Sequence, residues 1–274
     1  MYEIKFEENK IRIVNALNFG LAQTLDCGQA FRWEIGENGH WSGIAKGKYI
    51  ELYEENRDII IEGSNKEDFE NIWYDYFDLE RDYSKIITAV SENETVSKAA
   101  AFGSGIRILN QEPWETLCSF IISQNNNIPR IKGIINRLCE NFGNKTEKGY
   151  TFPSAETIAN LSLDELAPIK SGFRAKYILD AARKVSSGEL DLNKLKSENF
   201  ETAREALMTV KGVGPKVADC TLLFSLGKIE AFPRDVWIKR AMEELFAGEL
   251  PESSKPYAGI VQQYIFYYAR SKNI

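Results

Sequence analysis

The stretch Lys211–Asp235 reads KGVGPKVADCTLLFSLGKIEAFPRD, and the interpretation of the whole chain depends on it. It contains the tight turn Gly212-Val213-Gly214-Pro215 between two helical patterns, 200–208 and 216–224. Two glycines allow a sharp backbone turn, and a proline suits the first turn of a helix. Unpaired N–H groups at the start of the second helix favour a phosphate. The pattern predicts a helix-hairpin-helix over about 200–225, although the turn alone also fits a plain helix–helix joint.

Two side chains in this stretch suggest chemistry. Lys216 begins an apolar helix, where a buried ammonium is energetically unfavourable. Asp235 follows Pro233-Arg234 and precedes the helical pattern 236–246, where an aspartate is a natural N-cap. The structural alternatives are a solvated or phosphate-binding lysine and an aspartate that only caps a helix.

Composition excludes several classes of function. The single histidine, His40, makes Ser-His-Asp hydrolysis and histidine-ligated metal chemistry improbable. The four cysteines are far apart and form no CxxC pair, so neither a metal cluster nor a disulfide framework is expected. The net charge is −6, but residues 1–85 carry −8 and residues 86–274 carry +2. Net charge therefore neither supports nor excludes a nucleic-acid partner.

The sequence predicts no membrane segment and no secretion signal. It contains no run of 18 apolar residues, and its first ten residues, MYEIKFEENK, lack an apolar core. A reduced location is expected, either cytoplasmic, in a prokaryotic nucleoid, or nuclear.

The chain divides by hydrophobic period into two expected domains. Residues 1–82 predict an antiparallel sheet plus a helix, with an Asn38-Gly39 hairpin and a helix that begins after Ser64 or Asn65. The expected strands are 10–16, 30–35, 41–45, 48–52 and 58–62. Residues 83–274 predict helices throughout, so the fold class is α+β. The main expected helices begin at 113, 129, 155, 173, 200, 216, 236 and 256.

Several motifs together resemble the helix-hairpin-helix-GPD superfamily of DNA glycosylases, and within it the eukaryotic-type 8-oxoguanine DNA glycosylases. The motifs follow one another across nearly the whole chain: CGQAFRW (27–33), HWSG (40–43), SFIISQNNNIPRI (119–131), SGFRAKY (171–177), VKGVGPKVADC (210–220) and PYAGIVQQYIF (256–266). The resemblance implies a base-excision repair enzyme with glycosylase and AP lyase activity and a TBP-like N-terminal sheet domain. It also implies a partner, double-stranded DNA that contains 8-oxoguanine opposite cytosine, and a monomer. The family resemblance implies no cofactor. The iron–sulfur loop of other branches is absent from the sequence.

The resemblance assigns roles within the reaction. Lys216 corresponds to the nucleophile that forms a Schiff base, and Asp235 to the carboxylate that stabilises the cationic sugar. Gly28 corresponds to the glycine whose carbonyl accepts N7–H, a proton that 8-oxoguanine has and guanine lacks. The other base-binding positions implied are Cys220, Gln262 and Phe266, for packing, the Watson–Crick edge and stacking. Without the resemblance, Gly28 reads as a glycine at a strand start and Phe266 as a core aromatic.

The resemblance also assigns DNA contacts. Lys211, Gly212 and Gly214 belong to the hairpin that grips phosphates. Asn125 corresponds to the residue that fills the gap left by the flipped base, although 124–127 also fits an ordinary helix–helix connection. The residues implied to lie at the opposite base are Arg130, Arg174 and Phe173, the last in place of the family's tyrosine. Trp237 stands where the family often has a histidine.

Two alternatives remain open from the sequence. An alkylated-base glycosylase of the same fold would need Asp235 but not Lys216. A non-catalytic DNA-binding module would need only the hairpin. The presence of both Lys216 and Asp235 argues against each alternative.

Overall fold

A computed structural model describes residues 2–272 and confirms the α+β class. One six-stranded antiparallel sheet comes first and a helical region follows. The strands are β1 (Glu3–Phe6), β2 (Lys10–Val14), β3 (Trp33–Ile35), β4 (Trp41–Ala45), β5 (Lys48–Glu55) and β6 (Asp58–Glu62). Their order across the sheet is β1-β2-β6-β5-β4-β3.

The five expected strands form, and the sequence analysis missed β1. Strand β1 pairs only with β2 and lies at the edge of the sheet. Its side chains are exposed or half-buried, so it lacks the buried alternate positions that reveal a strand in a sequence. The expected hairpin at Asn38-Gly39 joins β3 to β4, with Gly39 at a φ of +79°.

Three short helical elements complete the sheet domain. Helix α1 (Leu21–Leu25) lies between β2 and β3. Helices α2 (Lys66–Asp68) and α3 (Tyr74–Tyr76) are joined by a π-helical turn, Phe69–Trp73. Asn65 is the N-cap, since its side chain accepts from the Asp68 amide at 2.8 Å. The apolar side of this helical run completes the core beneath the sheet.

The remaining helices follow the expected order. They are α4 (Tyr83–Val90), α5 (Glu94–Phe102), α6 (Pro113–Ser123), α7 (Ile128–Phe142), α8 (Ala155–Ala159), α9 (Ala175–Ser186), α10 (Phe200–Met208), α11 (Pro215–Ser225), α12 (Val236–Phe246) and α13 (Ala258–Lys272). One expectation is corrected: this region is not all-helical, because Lys145–Thr146 pairs with Gly149–Tyr150 as a small hairpin, β7–β8. Two-residue strands have no periodicity that a sequence could show. No helix within 2–272 is long and apolar enough to cross a membrane.

Two hydrophobic cores lie on either side of the expected boundary near residue 82. Leu79 is the last residue of the sheet core along the sequence, except for Leu109. Most residues of the helical core come from Tyr83 onward. Cys27 and Phe31 from the sheet domain pack into the helical core. The residues next to Gly28 are therefore anchored in the second domain.

A fully buried arginine, Arg107, joins the segment between α5 and α6 to residues of the sheet region. Its guanidinium donates to the Tyr2 hydroxyl at 2.8 Å and lies 4.2 Å from the centre of the Tyr83 ring. It also donates to backbone carbonyls of Asn18, Phe77, Asp78 and Arg81. A charge without solvent is tolerated when its donors are satisfied, as they are here. Arg107 therefore fixes the segment between α5 and α6 against the sheet region.

Candidate active site

The hairpin between α10 and α11 forms as expected. Gly212 has a φ of +78°, and a Cβ there would lie 2.5 Å from the Tyr177 ring on α9. Both conditions restrict this position to glycine. Gly214 is the N-cap of α11 in an extended conformation, and Pro215 occupies the first helical position. The positive end of the α11 dipole therefore lies at the hairpin turn.

An aspartate from α9 holds the start of this turn. The Lys211 amide donates to Asp180 Oδ2 at 2.9 Å, and the Lys211 ammonium lies 3.5 Å from Asp180 Oδ1. The Lys211 side chain is nevertheless mostly exposed. The lysine thus keeps its backbone fixed while its ammonium remains accessible to a phosphate.

Lys216 is half-buried at the first turn of α11. Its Nζ donates to Ser123 Oγ at 3.1 Å and lies 5.0 Å from the centre of the Phe120 ring. The Ser123 hydroxyl itself donates to the Phe120 carbonyl at 2.8 Å, which leaves its oxygen to accept from the lysine. Helix α6 thus holds the lysine with a hydroxyl and an aromatic face.

Asp235 is the N-cap of α12, as expected. Its Oδ1 accepts from the Ile238 amide at 2.8 Å. Burial raises the pKa of this carboxyl, while the Ile238 amide and the Lys216 charge oppose that rise. A capping carboxylate normally lies at the surface, so its partial burial beside a lysine goes beyond what capping requires.

One cleft of about 410 Å³ joins Lys216 and Asp235 to two predicted base-binding positions, Gly28 and Phe266. Gly28 has a φ of +85°, and a Cβ there would lie 3.5 Å from the Phe266 ring. The remaining walls of the cleft are mostly aromatic and apolar, with Trp237 at one side. An aromatic slot beside a lysine and a carboxylate suits a flipped base and its sugar.

The backbone around Gly28 is fixed by its neighbour Gln29, which is fully buried. The side-chain amide nitrogen of Gln29, Nε2, donates to the backbone carbonyls of Thr24 at 2.9 Å and Arg107 at 2.8 Å. Its amide oxygen accepts from the Leu109 N–H at 3.0 Å. These contacts hold Gln29, and with it the backbone next to Gly28, between Thr24 and the segment 107–109.

Two predicted base-binding residues, Cys220 and Gln262, are buried and do not line this cleft in the described conformation. Burial raises the pKa of Cys220 to about 11, although the Lys216 charge opposes the rise. The Gln262 amide nitrogen donates to the Pro233 carbonyl at 3.2 Å. The roles of both residues at a bound base stay predictions.

An adjoining space of about 510 Å³ brings together several predicted DNA contacts. Gly212, Asn125 and Phe173 line it with Lys216 and Asp235. Asn125 is exposed with a φ of +46°, and Phe173 is 48% exposed. The hairpin, the loop 124–127 and Phe173 therefore meet at one side of the cleft. Arg130 is exposed at the start of α7.

Arg174 is expected to face an opposite base, but in the structure its side chain contacts the loop 124–127. It is 2% exposed, and its Nε donates to the Gln124 carbonyl at 2.9 Å. A terminal nitrogen donates to the Asn125 carbonyl, also at 2.9 Å. Burial and the Arg130 charge lower its pKa. In this conformation Arg174 anchors the loop that carries Asn125, and its contact with an opposite base stays a prediction.

The sequence analysis missed the residues that support the site. Ser123 and Gln29 lie inside quoted motifs, yet no local pattern indicates that one contacts Lys216 and the other fixes Gly28. Asp180 lies in mid-helix, and its link to Lys211 depends on how α9 packs. These contacts join distant parts of the chain, so sequence spacing offers no signal for them.

The comparisons with known proteins establish the family. The family model described as 8-oxoguanine DNA glycosylase, N-terminal domain, matches residues 11–117. The model described as HhH-GPD superfamily base excision DNA repair protein matches residues 118–257. This chain belongs to the HhH-GPD superfamily of base-excision DNA repair proteins, and the resemblance inferred from its motifs is confirmed.

Relatives and solved structures match most of this chain. The N-glycosylase/DNA lyase of Saccharomyces cerevisiae is 35% identical over 256 residues, which cover 83% of this chain and 68% of the relative. A crystal structure of Clostridium acetobutylicum 8-oxoguanine glycosylase/lyase, with double-stranded DNA containing cytosine opposite 8-oxoguanine, is 41% identical. It superposes with a TM-score of 0.94 over 100% of this chain and 99% of that chain. A 3-methyladenine DNA glycosylase from Archaeoglobus fulgidus shares the fold at 21% identity, with a TM-score of 0.71 over 98% of each chain.

Proposed function

We propose that this protein removes 8-oxoguanine from duplex DNA opposite cytosine and then cleaves the strand as an AP lyase. The observation that carries the proposal is the single cleft that joins Lys216 and Asp235 to Gly28 and Phe266. The activities named for the yeast and clostridial relatives support it. The absence of a metal-binding cluster among residues 2–272 is compatible with it but does not test it.

The proposed reaction begins with a flipped nucleotide, since C1′ is unreachable in a stacked duplex. Lys216 Nζ, as the free amine, bonds to C1′ while the N-glycosidic bond breaks and its electron pair leaves with the base, which takes up a proton that Nζ loses. The C1′–O4′ bond then breaks, the second Nζ proton passes to O4′, and an imine remains between Nζ and C1′. Loss of a C2′ proton then expels the 3′ phosphate by β-elimination, and hydrolysis of the imine returns the lysine.

Asp235 would act by charge. Positive charge develops on the sugar as the base leaves, and a carboxylate in a partly dry cleft stabilises it strongly. The capping bond to Ile238 occupies one carboxylate oxygen and fixes its direction. The second oxygen remains to face the sugar.

Gly28 would provide the selection for the oxidised base. Its carbonyl would accept the N7–H of 8-oxoguanine, whereas guanine would present a lone pair to the same oxygen. A buried unpaired acceptor costs about 1–3 kcal/mol, which corresponds to roughly ten- to a hundredfold discrimination. The contacts of Gln29 support this role because a carbonyl that could rotate would not discriminate.

The hairpin would grip the DNA backbone through Lys211, Gly212 and Gly214, while Asn125 enters the gap left by the base. Arg130 and Arg174 would satisfy the O2 and N3 acceptors of the estranged cytosine, and Phe173 would stack beside it. We propose that the protein acts as a monomer. We propose that it acts on chromosomal DNA, either in the cytoplasm of a prokaryote or in a nucleus.

The test is borohydride trapping on duplex DNA that contains 8-oxoguanine, because borohydride reduces an imine to a stable cross-link. Wild type should be trapped, and Lys216→Gln should lose both trapping and base release while its affinity for the lesion stays within about tenfold. Lys211→Gln is the comparison variant: it removes an exposed lysine that we place on the DNA backbone, so it should weaken DNA binding but still be trapped. A cross-link that persists in Lys216→Gln would assign the nucleophile to another amine. Base release without any trapping in wild type would instead support an alkylated-base type of mechanism.

A further inference from the structure

Two buried glutamines on α13 form a chain of amide hydrogen bonds beside the site. Gln263 Nε2 donates to Gln262 Oε1 at 2.8 Å, and Gln262 Nε2 donates to the Pro233 carbonyl at 3.2 Å. Both side chains are 4% exposed. Pro233 lies two residues before Asp235, and Gln262 lies one helical turn before Phe266, so these amides are next in sequence to residues that line the cleft, although Gln262 itself does not line it in the described conformation.

The donors and acceptors in these two hydrogen bonds fix the orientation of the Gln262 side-chain amide. A backbone carbonyl can only accept, so the NH₂ group of Gln262 must face Pro233 and its oxygen must face Gln263. The donor to that oxygen must then be the NH₂ group of Gln263. Rotation of either amide by half a turn would place two like atoms against each other.

Gln263 keeps this orientation at an energetic disadvantage. Its own Oε1 is buried and has no hydrogen-bond partner among residues 2–272. A buried unpaired acceptor costs about 1–3 kcal/mol. An apolar residue at this position would avoid that cost, so what distinguishes glutamine here is its contact with Gln262.

The orientation matters because an amide alone does not distinguish guanine from adenine. Guanine presents an acceptor at O6 beside a donor at N1, and adenine presents a donor at N6 beside an acceptor at N1. An amide offers one oxygen and one N–H side by side. It pairs with the guanine edge in one orientation and with the adenine edge in the other, so only a fixed amide discriminates.

We propose that Gln263 is a positioning residue that locks the Gln262 amide in the orientation matched to a guanine-type edge. This rests on the proposed function, in which Gln262 meets the Watson–Crick edge of the flipped base. Gly28 then selects for the oxidised imidazole ring, and the Gln263–Gln262 pair selects for the purine type. Gln263 itself does not touch the base.

The test compares two lesions that share the oxidised edge and differ at the Watson–Crick edge. Single-turnover excision of 8-oxoguanine and of 8-oxoadenine, each opposite cytosine, is measured for wild type, Gln263→Met and Gln263→Leu. Both substitutions remove the donor and the unpaired oxygen together. The expected result is a ratio of the two rates that falls by about tenfold, the size of one neutral hydrogen bond. Tyr264→Phe is the matched control, because it removes another buried unpaired oxygen from the same helix and should leave the ratio unchanged.

The outcomes separate this inference from its premise. If wild type excises 8-oxoguanine but both variants slow the two lesions equally, or leave the ratio unchanged, Gln263 has only a packing role. An equal fall of the ratio in Tyr264→Phe would also overturn the inference, since general loosening of α13 would then explain it. A wild type that releases no 8-oxoguanine overturns the proposed function itself.

Discussion

Asp235→Asn should separate catalysis from capping at the start of α12. Asparagine is as good an N-cap as aspartate, and its side-chain oxygen can accept the Ile238 amide now bound at 2.8 Å. The substitution therefore removes the negative charge and little else. Asp82→Asn is the matched control, because Asp82 caps α4 through the Lys85 amide and lies outside the cleft.

The two substitutions should have opposite effects on stability. Burial raises the pKa of Asp235, so the folded protein binds a proton more tightly than the unfolded chain. As pH rises from the ordinary aspartate pKa of 3.8 through the raised pKa of folded Asp235, the free energy of unfolding therefore falls. Asparagine stays neutral, so the variant does not show this fall. At neutral pH Asp235→Asn should melt no lower than wild type. Loss of the cap, by contrast, would cost about 1 kcal/mol, or roughly 2–4 °C.

For Asp82 the sign is reversed. Its capping bond to Lys85 lowers the pKa of this exposed carboxyl. The Asp82 carboxylate therefore stabilises the folded protein above its ordinary pKa. This stabilisation is lost as pH falls through the lowered pKa. Asp82→Asn should therefore melt slightly below wild type at neutral pH, and the difference should shrink in acid.

The two substitutions should also differ in their effects on the excision rate. Removing a charge that faces a developing cation in a partly dry cleft should slow single-turnover excision by about 10²-fold or more, or roughly 2.7 kcal/mol of barrier. Asp82→Asn should excise at the wild-type rate. The assays are single-turnover excision and thermal melts at neutral pH and near pH 4. An unchanged excision rate in Asp235→Asn would reduce Asp235 to a cap, and a melt several degrees lower would show that the substitution disturbs the fold.

Two further predictions concern DNA contacts. Arg130→Ala should leave stability within about 0.5 kcal/mol, because Arg130 is exposed, and should narrow the preference for cytosine over adenine opposite the lesion. Single-turnover rates opposite the four bases check it, and equal rates in wild type would refute it. Gly212→Ala should lower the free energy of unfolding by at least about 1–2 kcal/mol, since the new Cβ meets the Tyr177 ring at a positive φ. Urea titration checks this prediction. Gly214→Ala is the comparison variant, because its new Cβ would meet open space and its φ is −102°.

Local signals account for most of the fold that could be predicted from the sequence. Pro113 and Pro129 lie in the first turns of α6 and α7, and Gly143 caps the end of α7, because these residues act on their own backbone. The capping position of Asp235 was also predictable, because the residue directly precedes a helical pattern. The enzyme class came from the resemblance of several motifs, and it agrees with the named relatives.

Contacts between distant residues could not be predicted in this way. Ser123 meets Lys216 only because α6 packs on α11, and Arg174 turns inward only because loop 124–127 offers it carbonyls. The positive φ of Gly28 could not be predicted from the sequence either. The sequence offers candidate residues, and tertiary packing decides what each side chain faces.

Gly28 and Phe266 line one cleft, although the first precedes β3 and the second lies on α13. The chain must therefore be synthesised through α13 before this part of the cleft can form. A message truncated before α13 would encode Lys216 and Asp235 without the Phe266 side of the cleft.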